Sequence, residues 1–359
     1  MTGLQGLETT TIPGAPEGVH VAPKTVEEVA SVLSEATATG TPVRVWGGGT
    51  KQRLGRDPAP GIVLSTQHLD SVEHWEPDDL TLVVGAGAKV LDIETMLATR
   101  GQTAVLPERP GQATVGGAIA TGTSSLRRGR LYGLRDRVLE VTVVTGDGRV
   151  VRSGGRVVKN VSGFDVHRAV VGAFGSLGVV VSACFKLWPI PEAALTIRIE
   201  GEIPPFVERP LAVLQTRAGT DLYLWGTEKE MSSIRDRVEG VAQPGLAWPD
   251  DPEGAFRWSL RVPPSSLGDA LTRVAPWDFL AIHGVGEVRL GSDGVEGAAE
   301  LREWAESLSG ALVLTAHPGG EPPIDPWGAP PGSVGLQRRL IAEFDPARVI
   351  NPGRLPGGI

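Results

Sequence analysis

The sequence of 359 residues predicts a mixed α and β fold of about two domains, on three observations. Short β-branched runs alternate with stretches whose apolar residues recur at helical spacing. Glycine-rich segments follow the strands or sit beside short helices. After Pro189 the texture changes: glycine motifs thin out, and five of the nine tryptophans (Trp225, Trp248, Trp258, Trp277 and Trp304) fall between residues 190 and 325, which marks a separate unit with its own core. The expected division is 1–189, then 190–330 as a smaller cap, then 331–359 returning to the first unit.

Composition limits the function. The 48 glycines and 29 prolines, roughly a fifth of the chain, predict many loops and tight turns, yet 41% apolar residues exclude disorder. Lys+Arg 34 against Asp+Glu 42 gives a net charge of -8, which argues against nucleic acid as a partner. The single cysteine, Cys184, can form no internal disulfide and cannot ligate an iron-sulfur cluster. A reducing compartment follows most simply, and because MTGLQGLETT lacks a basic stretch followed by an apolar core, a cytoplasmic protein is expected. Ala169 to Phe185 carries no charge, but Gly172, Gly175, Ser176, Gly178 and Ser182 break it into a helical half and a β-branched half, so no membrane span is expected.

The elements follow in order. Thr25 and Glu28 form a T-x-x-E box ahead of Val26, Val29, Val32, Leu33 and Ala36, which predicts a helix. After Gly40-Thr41-Pro42, VRVW reads as a strand running straight into Gly47-Gly48-Gly49-Thr50. Thr81 to Val84 is a second strand, followed by Gly85-Ala86-Gly87 and a helix with Ile93, Met96 and Leu97, closed near Gly101. This imitates a Rossmann start, but Val90 stands where its fingerprint needs glycine and no acidic residue follows at the usual distance. Strands are expected at Val138 to Thr145, Arg149 to Arg152 and Val179 to Leu187, the first two joined by Gly146-Asp147-Gly148. Leu336, Leu340 and Phe344 share one helical face before Asp345-Pro346 and Asn351-Pro352-Gly353-Arg354, and that helix is expected to dock on the first unit.

Three glycine-rich segments carry the chemistry: WGGGT (46–50), TVGGAIATGTSS (114–125) and GAFGSLGVV (172–180). Glycines let a backbone approach a ligand and aim successive N–H groups at an anion, as pyrophosphate sites require. Three such loops, with Lys159-Asn160 and Asn351-Pro352-Gly353, favour a large nucleotide cofactor over turns alone.

The order VRVWGGGT, LPERPGQATVGGAIATGTSS, GGRVVKNVSGFDVHRAVVGAFGSLGVV and FDPARVINPGRL resembles the FAD-binding family of p-cresol methylhydroxylase and vanillyl-alcohol oxidase, and within it the glycolate oxidase branch. The resemblance implies an α+β fold: an FAD domain of two subdomains with the cofactor between them and a smaller α+β cap above the flavin. Matched motif by motif, it implies that Trp46, Gly47, Gly48, Gly49 and Thr50 wrap the pyrophosphate. Pro107, Thr114, Gly116, Gly117, Ala120 and Gly122 run along the flavin and ribityl chain, with Lys159 and Asn160 near the cofactor. Gly175, Leu177, Gly178 and Val179 meet the adenine end, and Asn351 and Arg354 come back near the flavin ring. Members that bond FAD covalently through the first loop place a histidine where Gly49 stands, so noncovalent FAD is expected here.

Oxidation at an α-carbon needs a base for the hydroxyl proton and a cation for the substrate carboxylate. His283, His317 and Arg289 are the cap candidates, although a lone histidine in AIHGVGEV reads equally as structural. The wider family of 2-hydroxy-acid dehydrogenases binds a metal through a cap histidine cluster, and two histidines are too few for one, so no metal is expected. The run Arg127, Arg128, Arg130, Arg135 and Arg137 reads either as a partner or steering patch or as a solvated face. The resemblance implies an FAD-dependent subunit that oxidises a small 2-hydroxy acid such as glycolate and passes electrons to partners, a catalytic flavoprotein and an iron-sulfur subunit. A noncatalytic FAD-bearing scaffold and a stand-alone FAD oxidase or dehydrogenase of another alcohol remain as alternatives.

Overall fold

A computed structural model describes residues 9–57, 61–156 and 164–359. The chain opens with a parallel three-stranded sheet in the order Val19–Val21, Ile62–Ser65, Val43–Trp46. The helix Val26–Thr39 covers it, burying Val29, Val32, Leu33 and Ala36 as the spacing predicts. Thr25 caps this helix by accepting from the Glu28 N–H at 3.2 Å, while the Glu28 carboxylate turns to the Lys24 N–H instead of completing the reciprocal box.

A five-stranded antiparallel sheet follows in the order Val72–Glu76, Thr81–Gly85, Val179–Lys186, Val138–Val144, Val150–Gly154. Its longest strand, Val179–Lys186, is buried at every position from Val179 to Phe185, including the free Cys184. The uncharged stretch therefore becomes the short helix Val166–Val170, a glycine turn and a central strand. Among the described residues no helix is long and apolar enough to cross a membrane. One side of this sheet packs on the helices Val90–Ala98 and Val115–Thr121. Val144, Val179 and Val181 join the core beneath the three-stranded sheet.

Residues 193–316 form a third, eight-stranded antiparallel sheet. Its order is Gly240–Pro244, Ala193–Ile199, Gly219–Gly226, Ala212–Thr216, Asp278–Ile282, Glu287–Ser292, Phe256–Arg261, Ala311–Ala316. Each half repeats the order 4-1-3-2 of a ferredoxin-like unit, and the two second strands meet at Leu214–Ile282. The helices Glu228–Arg235, Leu267–Arg273 and Ala298–Ser307 pack on one face. On the other face, Leu214, Tyr223, Leu280 and Ile282 close onto Val105, Leu126 and Leu131. Mixed helices and sheets in separate layers make the fold α+β, as expected.

Two expectations are corrected. The C-terminal helix Val334–Phe344 docks through Ile341, with Val334 and Phe344 beside it, while Leu336 and Leu340 stay 52% and 38% exposed. The helix is rotated from the expected face because Asp345 anchors its end, accepting from the Val349 and Ile350 N–H groups at 3.1 and 2.8 Å. The arginine run is a solvated face only in part, at the exposed Arg130 and Arg135. Arg127 and Arg137 are buried, Arg127 on Glu108 at 2.8 Å and Arg137 over the Trp188 ring, while Arg128 pairs with Glu287 of the cap.

Asn351 joins three segments. Its Oδ1 accepts from the Val45 N–H at 3.2 Å, its Nδ2 donates to the Phe174 carbonyl at 2.7 Å, and its own N–H donates to the Val43 carbonyl at 2.8 Å. Asn351→Ala leaves two buried backbone groups unmet, and we expect a loss of about 2–4 kcal/mol, read as a lower urea midpoint with an unchanged m value.

Candidate functional site

A cleft of about 420 Å³ lies between the glycine loops and the cap sheet. Its first wall is the turn after strand Val43–Trp46. Gly47, Gly48, Gly49 and Thr50 all line it, as the sequence predicts, and Gly49 has a left-handed φ of 73°. Among the described residues, no acceptor meets the backbone N–H groups of Gly48, Gly49, Thr50 and Lys51. Four consecutive unmet donors at a cleft form an anion-binding nest, so the loop fits a pyrophosphate. Only glycine fits at position 48, because a Cβ there would overlap the Gln112 carbonyl.

The second wall is the N-terminal turn of helix Val115–Thr121, where Thr114 caps by accepting from the Gly117 N–H at 3.2 Å. Pro107, Thr114, Gly116, Gly117, Ala120 and Gly122 all line the cleft, as do Gly175, Val179, Asn351 and Arg354. Arg354 is buried rather than facing solvent. Its guanidinium donates to the carbonyls of Lys51 at 2.9 Å and of Leu54 and Gln52 at 3.2 Å, so it holds the segment that follows the nest. Burial, with Arg44 nearby, pushes its pKa down to about 10.

Three expected residues stay out of the cleft. Trp46 is buried with Ile12 and Val63, lying under Gly49 as packing. Leu177 belongs to the core, and Gly178 packs against the Val144 carbonyl and the Val143 side chain. Lys159 and Asn160 lie outside the described residues.

The third wall is the open half of the cap sheet. In FRWSLR (256–261) the residues Phe256, Trp258 and Leu260 join the apolar cap core, and Arg257, Ser259 and Arg261 alternate onto the cleft face. Glu287 and Arg289 stand opposite Arg261 and Ser259 on the next strand. Arg289 lines the cleft as expected, with its Nη1 2.8 Å from Asp251 Oδ1 and its Nε 3.4 Å from Glu287 Oε1. Burial would raise the carboxyl pKa of Asp251 and of Glu287. The neighbouring arginines outweigh it, Arg289 for Asp251 and Arg128 with Arg289 for Glu287, and hold both below the ordinary range. Lys51 is accessible from the cleft but crowded by protein, and burial together with the Arg289 charge holds its ammonium below the ordinary value.

The histidines are not brought to the cleft. His283 follows the strand Asp278–Ile282 at its far end, where its Nε2 lies 3.0 Å from Gln215 Oε1. His317 is buried beyond the cleft-lining Thr315. Its carbonyl accepts from Arg53 at 2.8 Å, and its Nδ1 has no partner among the described residues. The physical reason differs between them: His283 follows Ile282, which stands opposite the cleft-lining Glu287, so alternation turns it to the other face, and His317 lies past the end of the strand Ala311–Ala316. Among the described residues no group of three or more His, Cys, Asp or Glu side chains could hold a metal ion. Polar cleft residues that the expectations omitted include Lys51, Arg257, Ser259 and Arg261. For Arg257, Ser259 and Arg261 the signal was present in the period-2 alternation of FRWSLR.

Gly48→Ala should weaken FAD binding by at least about tenfold through the displaced nest, as read by titrating the apoprotein with flavin and following absorbance. Burial lowers the pKa of His283 from its ordinary 6.5, so the folded state disfavours the charged ring. Its contribution to stability is therefore complete above the unfolded value and is lost as pH falls through it. His283→Gln should lessen the loss of stability between about pH 7 and pH 5 and leave flavin reduction within about threefold of wild type, because the ring lies off the cleft. Thermal melts across pH and anaerobic stopped-flow read the two halves.

Residues 18–154 match the FAD binding domain family. The chain is 30% identical to the glycolate oxidase subunit GlcE of Escherichia coli (strain K12), covering 90% of this chain and 95% of that protein. It is 33% identical to the glycolate oxidase subunit GlcD of Bacillus subtilis (strain 168) and 35% identical to a D-lactate dehydrogenase of Archaeoglobus fulgidus. These alignments cover 49% and 48% of this chain but only 38% and 39% of those proteins. Among solved structures, alkyldihydroxyacetonephosphate synthase superposes with a TM-score of 0.67 at 14% identity, covering 93% of this chain and 75% of that one, which shows the shared fold. A cleft built from an anion nest and glycine-lined walls, in a chain alike to GlcE over nearly its whole length, places this protein in the family of the glycolate oxidase subunit GlcE, FAD-dependent oxidoreductases whose FAD binding domain it carries.

Proposed function

We propose that the chain oxidises a small 2-hydroxy acid of the glycolate type to the 2-oxo acid in this cleft, in the cytoplasm, and passes the electrons to a partner subunit. The observation that carries the reading is the opposition of two walls, an uncommitted anion nest at 48–51 and a cation-rich cap face with room between them. FAD, held noncovalently because Gly49 offers no side chain to bond it, would supply the hydride acceptor. Gly47 to Thr50 would hold its pyrophosphate, and Thr114, Gly116, Gly117, Gly175, Val179, Asn351 and Arg354 would shape the walls along it. The cap arginines would hold the substrate carboxylate, with Arg289 and its two carboxylates fixing that face. Among the described lining residues every carboxylate is tied to an arginine: Glu108 to Arg127, Asp251 to Arg289, and Glu287 to both Arg128 and Arg289. We therefore assign the hydroxyl proton to Nζ of Lys51, the lysine that lines the cleft among the described residues, whose proton affinity burial and the Arg289 charge lower.

With one buried free cysteine the chain holds no cluster of its own, so a catalytic flavoprotein and an iron-sulfur subunit are the proposed partners, and the subunit names of the relatives support a multi-subunit assembly. The lack of an uncommitted carboxylate or histidine among the described lining residues favours a second reading, an FAD-bearing support for a catalytic sister subunit. The purified flavoprotein, followed anaerobically in the visible as glycolate or lactate is added, separates the two. Bleaching of the flavin, slowed at least about a hundredfold in Lys51→Met, supports catalysis here. Bound flavin that never bleaches in this chain, alone or with its partners, moves the chemistry to the sister subunit.

A further inference from the structure

We propose that Arg257, Ser259 and Arg261 form the carboxylate subsite of the cap, and that Arg289 is a positioning residue rather than the group that binds the substrate. The proposal rests on the reading of the cleft as a 2-hydroxy acid site and assigns its specificity.

Arg289 has the charge for carboxylate binding but not the freedom. Asp251 and Glu287 both hold it, and Glu287 is shared with Arg128 from the first domain, so two carboxylates and two guanidiniums already balance across this part of the face. A substrate carboxylate there would have to displace an anion that is built in. The guanidiniums of Arg257 and Arg261, by contrast, line the same cleft, are accessible from it, and make no hydrogen bond or ion pair among the described residues, acting on Asp251 and Glu287 only through the longer-range field. Their planar forks are the donors best matched to a carboxylate.

Ser259 lies between them on the strand, directly opposite Arg289. It is only 8% exposed, lines the cleft, and its hydroxyl has no partner among the described residues. A buried hydroxyl left unmet is costly, and a side chain in that state at the wall of a cleft marks the position of a ligand atom. One free donor flanked by two free guanidiniums, on the wall opposite the anion nest, leaves the nest to the cofactor and gives the substrate its own anion site. The ladder explains the arrangement: Thr315 Oγ1 donates to the Arg257 carbonyl at 2.9 Å, and the pairing of Arg261 with Glu287 and with Ala311 fixes the other end. The network around Arg289 sets the facing strand in register with Ser259 without itself offering a vacant donor.

The test titrates the FAD-loaded protein with oxalate, which matches glycolate in size, carries the same group and has no α-hydrogen to lose, and reads binding by calorimetry and by the shift of the flavin spectrum. Arg257→Gln and Arg261→Gln should each weaken oxalate by about tenfold or more, with melting temperature and FAD affinity unchanged, and Arg257→Lys should recover part of the loss. Ser259→Ala should weaken it several-fold. Oxalate binding that is unchanged in both arginine variants, or that is absent from the wild type, overturns the subsite. Binding that is lost only in Arg289→Gln does the same. If wild-type flavin is never bleached by glycolate while oxalate still binds through Arg257 and Arg261, the subsite stands and the oxidation reading falls.

Discussion

The structure depends on the return of the chain end to the first sheet. Ile350 bridges Val43 in parallel, Asp345 caps the Val349 and Ile350 N–H groups, and Asn351 ties strand Val43–Trp46 to the loop at Phe174. Arg354 then grips the carbonyls of Lys51, Gln52 and Leu54. The nest at 48–51 owes its shape to this clamp from below and to the Gln112 carbonyl that crowds Gly48 from the side. A loop with four unmet N–H groups would close on itself or turn to water unless its ends were held, so the buried polar bonds of the tail serve the cleft as much as stability.

The cleft is electrostatically divided. On the nest side the positive potential comes from backbone dipoles, which carry no side-chain entropy and no proton. On the cap side it comes from arginines in two states, Arg289 balanced by Asp251 and Glu287, and Arg257 and Arg261, which form no ion pair among the described residues. Arg128 crosses from the first domain to Glu287, Arg127 pairs with Glu108 within the first domain, and Leu126 and Leu131 of the same segment pack against the cap. The basic run thus binds the two parts of the molecule together. Arg127, Arg128 and Arg137 are used inward, while Arg130 and Arg135 remain exposed.

Cap and cleft share one β-sheet through the alternation of side chains. Trp258, Leu260, Leu290 and Leu314 face the helices and form a core, while their neighbours Arg257, Ser259, Arg261 and Arg289 face the cleft. The apolar side fixes the sheet, and the polar side is thereby presented on a rigid surface. In the other half of the sheet the corresponding face is apolar and closes on Val105 and Leu126, which leaves the second half alone to line the cleft.

Local signals were legible in the sequence by themselves. Caps, β-branched runs and the Gly146-Asp147-Gly148 turn placed the helix Val26–Thr39 and the strands Val43–Trp46, Thr81–Gly85 and Val138–Val144 within a residue or so, because nearest-neighbour geometry decides them. The glycine loops were legible as an anion site for the same reason. Tertiary structure decided what distance in the chain conceals: which face of helix Val334–Phe344 is buried, that Arg354 turns inward, and that His283 and His317 fall outside the cleft. The cap chemistry belongs to this second class. Alternation in FRWSLR shows that Arg257 and Arg261 share a face, but only the pairing with Glu287 and Arg289, strands apart in sequence and adjacent in space, determines which arginines are balanced and which are free.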